Sequence, residues 1–211
     1  MSRIIAGSRG GRRLAMPPGD RTRPTTDRVR EALFSAVAAW AGRADAAPEE
    51  ALAGLAFCDL YAGSGAVGLE AASRGAGPVL LVEGNRRTAT VTERNVAALG
   101  LVARVRAGKV ESLVAEPAAQ AFDVVFLDPP YEVASTTVTQ VLADLATQGW
   151  LLPDALVVVE RSKRTPLFGW PALVGESWSR GYGETVLHYG ACDAPDTTAP
   201  AAPGPGTEPA P

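Results

Sequence analysis

Five short apolar runs, separated by four segments of helical spacing, constrain this chain more than any other feature. The runs are residues 55–60, 79–82, 102–106, 122–127 and 156–160, and the helical segments are 67–73, 85–99, 111–116 and 136–147. Strands joined through helical crossovers pack as a mostly parallel sheet with helices on both faces, so the expected class is α/β. Residues 177–179 and 185–189 read as a closing hairpin around Gly181 and Gly183. No internal repeat is visible.

The flanks differ in character. Residues 1–24 mix Arg, Gly and Pro, with Ile4 and Ile5 as a short strand. A helix is expected from there, capped by Thr25 or Thr26, with Asp27 in its first turn and Val29, Leu33, Phe34 and Val37 at helical spacing. Residues 41–53 read as a linker or a short surface helix. From Ala191 the chain is Ala, Pro, Thr, Gly and Asp without apolar periodicity, and residues 191–211 are expected to be a disordered tail.

Charge is unevenly placed. Eight arginines against three acidic residues leave the segment from Met1 to Glu31 at +5, so a total of −3 puts the remainder at −8. That asymmetry marks a polyanion-binding arm on an acidic domain, the alternative being a solvated terminus. Arg9, Arg12, Arg13, Arg23 and Arg28 are the candidate contacts to such a polyanion. Arg161, Lys163 and Arg164 either extend that surface or form an ordinary solvated loop. No apolar stretch reaches the roughly 18 residues of a membrane span. The N-terminus also lacks the apolar centre of a signal peptide, so a cytoplasmic protein is expected. Cys58 sits in an apolar run, Cys192 lies near the tail, and His188 stands alone. None has metal-ligand company, and neither a metal site nor a disulfide framework is expected.

Two loops carry chemistry. The run from Phe122 to Leu127 ends in Asp128-Pro129-Pro130-Tyr131, where two prolines stop the strand because neither donates to a sheet ladder. Alone, such a segment is equally an ordinary turn. At a strand's carboxyl end it is a stiff loop whose Asp128 carboxylate and Pro129 carbonyl accept from an exocyclic amine, beside Pro130, while Tyr131 stacks on the base. The other loop follows the first run: Asp59, then Ala62, Gly63, Ser64, Gly65 and Gly68 in a G-x-G-x-x-G spacing. Glu83 ends the second run, 20 residues past Gly63, where a carboxylate binds ribose hydroxyls. Both a nicotinamide dinucleotide and S-adenosylmethionine carry such a ribose. Asp59 favours the second, since a carboxylate repels pyrophosphate and attracts the methionyl ammonium.

Together, DLYAGSGAVGLEAASRGA, FDVVFLDPPY, MSRIIAGSRGGRRL and TRPTTDRVREALFSAV resemble the RsmD family of class I S-adenosylmethionine-dependent methyltransferases, which modify guanine N2 in 16S ribosomal RNA. The resemblance runs from about residue 1 to 190. It implies a Rossmann-like, seven-stranded, mostly parallel sheet with an antiparallel last strand. It also implies that residues 1–40 form a basic arm and helix covering cofactor and RNA, and that residues 41–190 form the methyltransferase domain. S-adenosylmethionine is then the cofactor, and 16S rRNA or the small ribosomal subunit the partner. Nothing in the sequence demands more than a monomer. The family often has Gly followed by Asp or Asn near the adenine. Here the pair is Gly108-Lys109, and lysine cannot accept from an adenine amine. A backbone contact at Gly108, or Glu111 one turn on, would take that role.

The proposed step is direct methyl transfer to guanine N2. Acceptors at Asp128 and Pro129 localise the amine lone pair, and Asp128 stabilises the charge that develops on nitrogen. The base must be unpaired or flipped out. An adenine-N6 or other amino-methyltransferase acting on DNA or RNA is the near alternative, and a non-catalytic RNA-binding relative a further one. A nicotinamide dehydrogenase would leave Asp128 to Tyr131 and the arginines unexplained.

Overall fold

The structure is a computed structural model that describes residues 2–17 and 26–193. It opens with a small antiparallel pair, β1 (Ser2–Arg3) and β2 (Arg13–Leu14). Helix α1 (Asp27–Trp40) follows, and the Thr26 hydroxyl caps it by accepting from the Val29 amide. The alternation then runs β3 (Phe57–Leu60), α2 (Ala66–Ser73), β4 (Val79–Glu83), α3 (Arg86–Leu99), β5 (Arg104–Ala107), α4 (Val110–Val114), β6 (Phe122–Leu127), α5 (Ser135–Thr147) and β7 (Leu151–Ser162). A hairpin of β8 (Val174–Tyr182) and β9 (Thr185–Cys192) closes the chain.

Seven strands form one sheet in the order β5-β4-β3-β6-β7-β9-β8. The pairs among β3, β4, β5, β6 and β7 are parallel, while β9 runs antiparallel to both β7 and β8. The last strand in the chain therefore inserts antiparallel, as expected. The order reverses between β3 and β6, and that is where an open α/β sheet leaves a crevice at its carboxyl edge.

Each face of the sheet has its own core. Leu33, Phe34 and Val37 of α1 pack with Phe57, Val124, Phe126, Leu156 and Val158, and Ile4 and Leu14 of the N-terminal pair join the same cluster. On the opposite face, Val138, Val141 and Leu145 of α5 pack with Cys58, Leu60, Val125, Leu127, Val157 and Val159. This two-sided burial is why the strand runs are continuously apolar rather than alternating.

Some boundaries differ from the sequence expectation. β7 begins at Leu151, ahead of Pro153 and a left-handed Asp154 (φ 61°), which break the apolar pattern that located only its second half. β8 is an edge strand, largely exposed, so its nine residues carry little hydrophobic signal. Residues 41–53 form turns rather than a helix, yet Ala51 and Leu52 are buried. Cys192 is a buried, free thiol at the end of β9, not part of a tail. Residues 194–211 lie outside the described residues, as do Thr25 and Arg23. Among the described residues no helix is long and apolar enough to cross a membrane, and no cluster of metal-ligating side chains occurs.

Candidate active site

Strands β3 and β6 are parallel neighbours, so they release their loops at the same edge of the sheet. A cavity of about 1250 Å³ opens there. Asp59, Ala62, Gly63, Ser64 and Glu83 line one part of it, and Asp128, Pro129, Pro130 and Tyr131 line another. The two loops that the sequence singled out thus meet in one space.

The glycine loop is held by its own main chain. Gly63 donates its amide to Glu83 Oε2 at 2.9 Å, and its carbonyl accepts from Thr92 Oγ1 at 2.6 Å. Asn95 Nδ2 donates to the Ser64 carbonyl at 2.9 Å. Gly65 and Gly68 do not line the cavity. They allow close packing: a Cβ on Gly65 would sit 2.8 Å from Thr92 Cγ2, and one on Gly68 2.8 Å from Leu81 Cδ2. Thr92 and Asn95, both buried in α3, were not foreseen, because polar residues on a helix face carry no sign of which distant carbonyl they serve.

Asp59 is 1 % exposed and accepts from the Gly68 amide at 2.7 Å. Burial pushes its carboxyl up to about 8, against the lowering effect of the Gly68 hydrogen bond, and the negative charges of Asp128 and Glu83 add to the rise. Glu83 bridges two amides, Gly63 and, at 2.7 Å, Asn85. Two amides that a pyrophosphate could otherwise use, Gly63 in the loop and Gly68 in the first turn of α2, are thus donated to carboxylates.

The third side of the cavity carries Lys109, Val110 and Glu111. Tyr61, a non-glycine residue at φ 64°, donates its hydroxyl to Glu111 Oε1 at 2.8 Å. Burial and the Glu111 carboxylate raise the Tyr61 hydroxyl well above its ordinary range, so it stays a donor. Glu111, rather than the Lys109 side chain, therefore supplies an acceptor on this wall. Gly108 stays behind it, donating its amide to the Glu83 carbonyl at 2.9 Å.

At the proline loop, Asp128 donates its amide to the Leu60 carbonyl at 3.4 Å, Pro129 is buried, and Tyr131 is 76 % exposed. Arg161, expected at the surface, is instead 6 % exposed and lines the cavity. Its guanidinium donates to the Val133 carbonyl at 2.8 Å and to the Pro129 carbonyl at 3.5 Å, and Asp128 attracts it. It clamps the loop from the β7 side. Lys163 and Arg164 are exposed and both pair with Glu184, at 2.5 and 3.1 Å.

The N-terminal arginines divide. Arg9 Nε donates to the Leu99 carbonyl at 2.5 Å and Arg12 to that of Ala98 at 3.2 Å, so both cap the C-terminus of α3. Arg30 is buried and donates to the carbonyls of Arg3 and Ala66 and to Asp27. Arg13 and Arg28 are exposed.

The family model described as Conserved hypothetical protein 95 matches residues 2–191. The chain belongs to that family. The ribosomal RNA small subunit methyltransferase D of Escherichia coli K12 is 36 % identical over 178 residues, 84 % of this chain and 81 % of the relative. The protein of the same name from Haemophilus influenzae is 32 % identical over 181 residues, 84 % of each chain. A solved Escherichia coli structure described as a methyltransferase covers 92 % of this chain and 99 % of its own, with TM-score 0.78 at 30 % identity. The Conserved hypothetical protein 95 chain is accordingly a methyltransferase of the Rossmann-like class, and the cavity at the β3/β6 edge is its candidate active site.

Proposed function

We propose that this chain transfers a methyl group from S-adenosylmethionine to the exocyclic N2 of a guanine in 16S ribosomal RNA. The observation that carries the reading is the meeting of the Asp128-Pro129-Pro130-Tyr131 loop with Asp59, the glycine loop and Glu83 in one cavity. The cavity residues fit this cofactor by their chemistry. Asp59 and Glu83 are acceptors, suited to an ammonium and to ribose hydroxyls, and a Cβ on Gly63 would meet nothing within 4 Å, so the loop presents open space there. Glu111 is an acceptor suited to the adenine amine. When bound, S-adenosylmethionine supplies an electrophilic methyl carbon.

The chain's own residues prepare the nucleophile. The Asp128 carboxylate and Pro129 carbonyl accept the two hydrogens of the guanine amine, which pulls its lone pair out of ring conjugation. The Pro129 carbonyl has a second lone pair beyond the one facing Arg161. Tyr131, exposed at the mouth, stacks on the base that enters. As nitrogen acquires positive charge, Asp128 stabilises it, and the released proton passes to Asp128 or to water. Exposed Arg13 and Arg28, with Arg23, contact phosphates and contribute affinity without choosing sequence. Contacts from Arg9 and Arg12 would use guanidinium N–H groups left over from their helix caps.

The test is Asp128→Asn, assayed on small ribosomal subunits that lack the modification. The turnover number is expected to fall by about 10²–10³-fold, as for loss of a charge-stabilising group, with cofactor affinity by calorimetry nearly unchanged. Wild-type turnover in the variant would remove Asp128 from the chemistry. A wild-type product of N6-methyladenosine would replace the guanine reading by the adenine one.

A further inference from the structure

The proline loop by itself serves any exocyclic amine, so the choice of base must come from a neighbour. Strand β6 pairs with β7 in the register Phe126–Val158 and Leu127–Val159. β6 ends at Leu127, and extending this register by one residue past its end would set Asp128 opposite Glu160. Phe126 and Val158 share one face of the sheet, and side chains alternate along a strand. Asp128, the first residue past β6, and Glu160, within β7, would therefore continue that face at the same edge of the sheet. Both line the cavity, and Glu160 is only 8 % exposed. Side by side on a sheet, such residues have Cβ atoms about 5 Å apart, a span that two adjoining groups on a base edge can bridge.

Two acceptor-only groups in a row match one kind of base edge. Guanine offers N1–H and the N2 amine as adjacent donors. Adenine offers its N6 amine beside N1, which is an acceptor and would face a carboxylate with no hydrogen between them. Leaving a buried acceptor opposed in this way is what gives hydrogen-bonding sites their strongest discrimination. A carboxylate has about four lone-pair positions, so a contact within the protein leaves room for a base donor.

We infer that Glu160 determines base specificity by accepting the N1–H of guanine while Asp128 accepts from N2. This rests on the reading of the cavity as an RNA amino-methyltransferase site.

The test uses small subunits reconstituted with a ligated 16S rRNA. At the guanosine that the wild type methylates, one form carries guanine and the other 2-aminopurine, which keeps the 2-amino group but has no N1–H. Wild-type kcat/KM is expected to drop by about 30-fold from guanine to 2-aminopurine, the worth of a charge-assisted hydrogen bond. Glu160→Gln keeps an accepting oxygen but loses the charge, so kcat/KM on guanine is expected to fall by about fivefold and the guanine to 2-aminopurine ratio to shrink by a similar factor. Cofactor affinity stays within about twofold. If Glu160→Gln is too unstable to assay, Glu160→Asp, one methylene shorter, must also narrow the ratio. A ratio equal to the wild type's in the folded variant overturns the assignment while leaving the methyltransferase reading intact. A wild-type product other than N2-methylguanosine overturns this assignment together with the guanine reading.

Discussion

Replacing Asp59 by asparagine should stabilise the ligand-free protein at alkaline pH while weakening cofactor binding. Asp59 is buried, and its carboxyl is raised from 3.8 to about 8, first by desolvation and then by Asp128 and Glu83. Between those values the unfolded chain has released the proton that the folded chain still holds. Stability is therefore fully present below about pH 4 and is lost as pH rises through about 8. At 1.36 kcal/mol for each decade of proton activity, the interval sets an upper bound of about 6 kcal/mol. Local relaxation and water entry reduce this to about 3 kcal/mol. Asparagine keeps an oxygen for the Gly68 amide but carries no charge. For a chain of this size about 3 kcal/mol corresponds to a rise in Tm of roughly 6–12 °C. Thermal melts of both proteins at pH 5 and pH 9 would show a small difference at the first and this rise at the second. At neutral pH the ammonium of S-adenosylmethionine would draw the proton off Asp59 on binding, and calorimetry should show the asparagine variant, which has no such charge to offer, binding about 10²-fold more weakly. Equal melting temperatures at pH 9, or a variant less stable there than the wild type, would refute the assignment of a strained, buried carboxyl to Asp59.

Two further perturbations follow from named contacts. Arg161→Met removes the donors that hold the Pro129 and Val133 carbonyls. Hydrogen exchange at the Val133 amide should quicken and kcat should fall by about tenfold, as for misplacement of a positioned catalytic group, with cofactor affinity little changed. Glu70 is fully buried, accepts from the amides of Ile5 and Ala6 and pairs with Arg74 at 2.9 Å. Glu70→Ala should cost about 3–5 kcal/mol by leaving those donors and the guanidinium uncompensated, seen as a lower denaturant midpoint.

What the sequence revealed follows from how burial writes itself into residue types. The interior strands were legible because both their faces are covered, so FDVVFL is apolar throughout. The glycine loop was legible because Gly65 and Gly68 sit where a Cβ would collide with Leu81 or Thr92, a demand that leaves little choice of residue. Edge strand β8 was only partly legible, since exposed positions accept almost anything. Arginine proved the least readable type. Arg9, Arg12, Arg30 and Arg161 all spend donors on main-chain carbonyls, and a carbonyl leaves no trace in sequence. Glu160 escaped notice for a related reason. Asp128 lies 32 positions away in the chain, and only the pairing of β6 with β7 brings both to the same cavity.

The docking of the N-terminal pair sets an order of events during synthesis. Ile5, Ala6 and Arg9 bond to Glu70 and Ser73 across separations of 65, 64 and 64 residues, and Ala15 to Asn95 across 80. The N-terminal pair leaves the ribosome ahead of α2 and α3 and has no berth until they have followed it out. A nascent chain arrested before about residue 75 would hold it unprotected, whereas one released after α3 would not, and contacts of such long range form slowly. The earliest-made part of the fold is thus among the last to be secured.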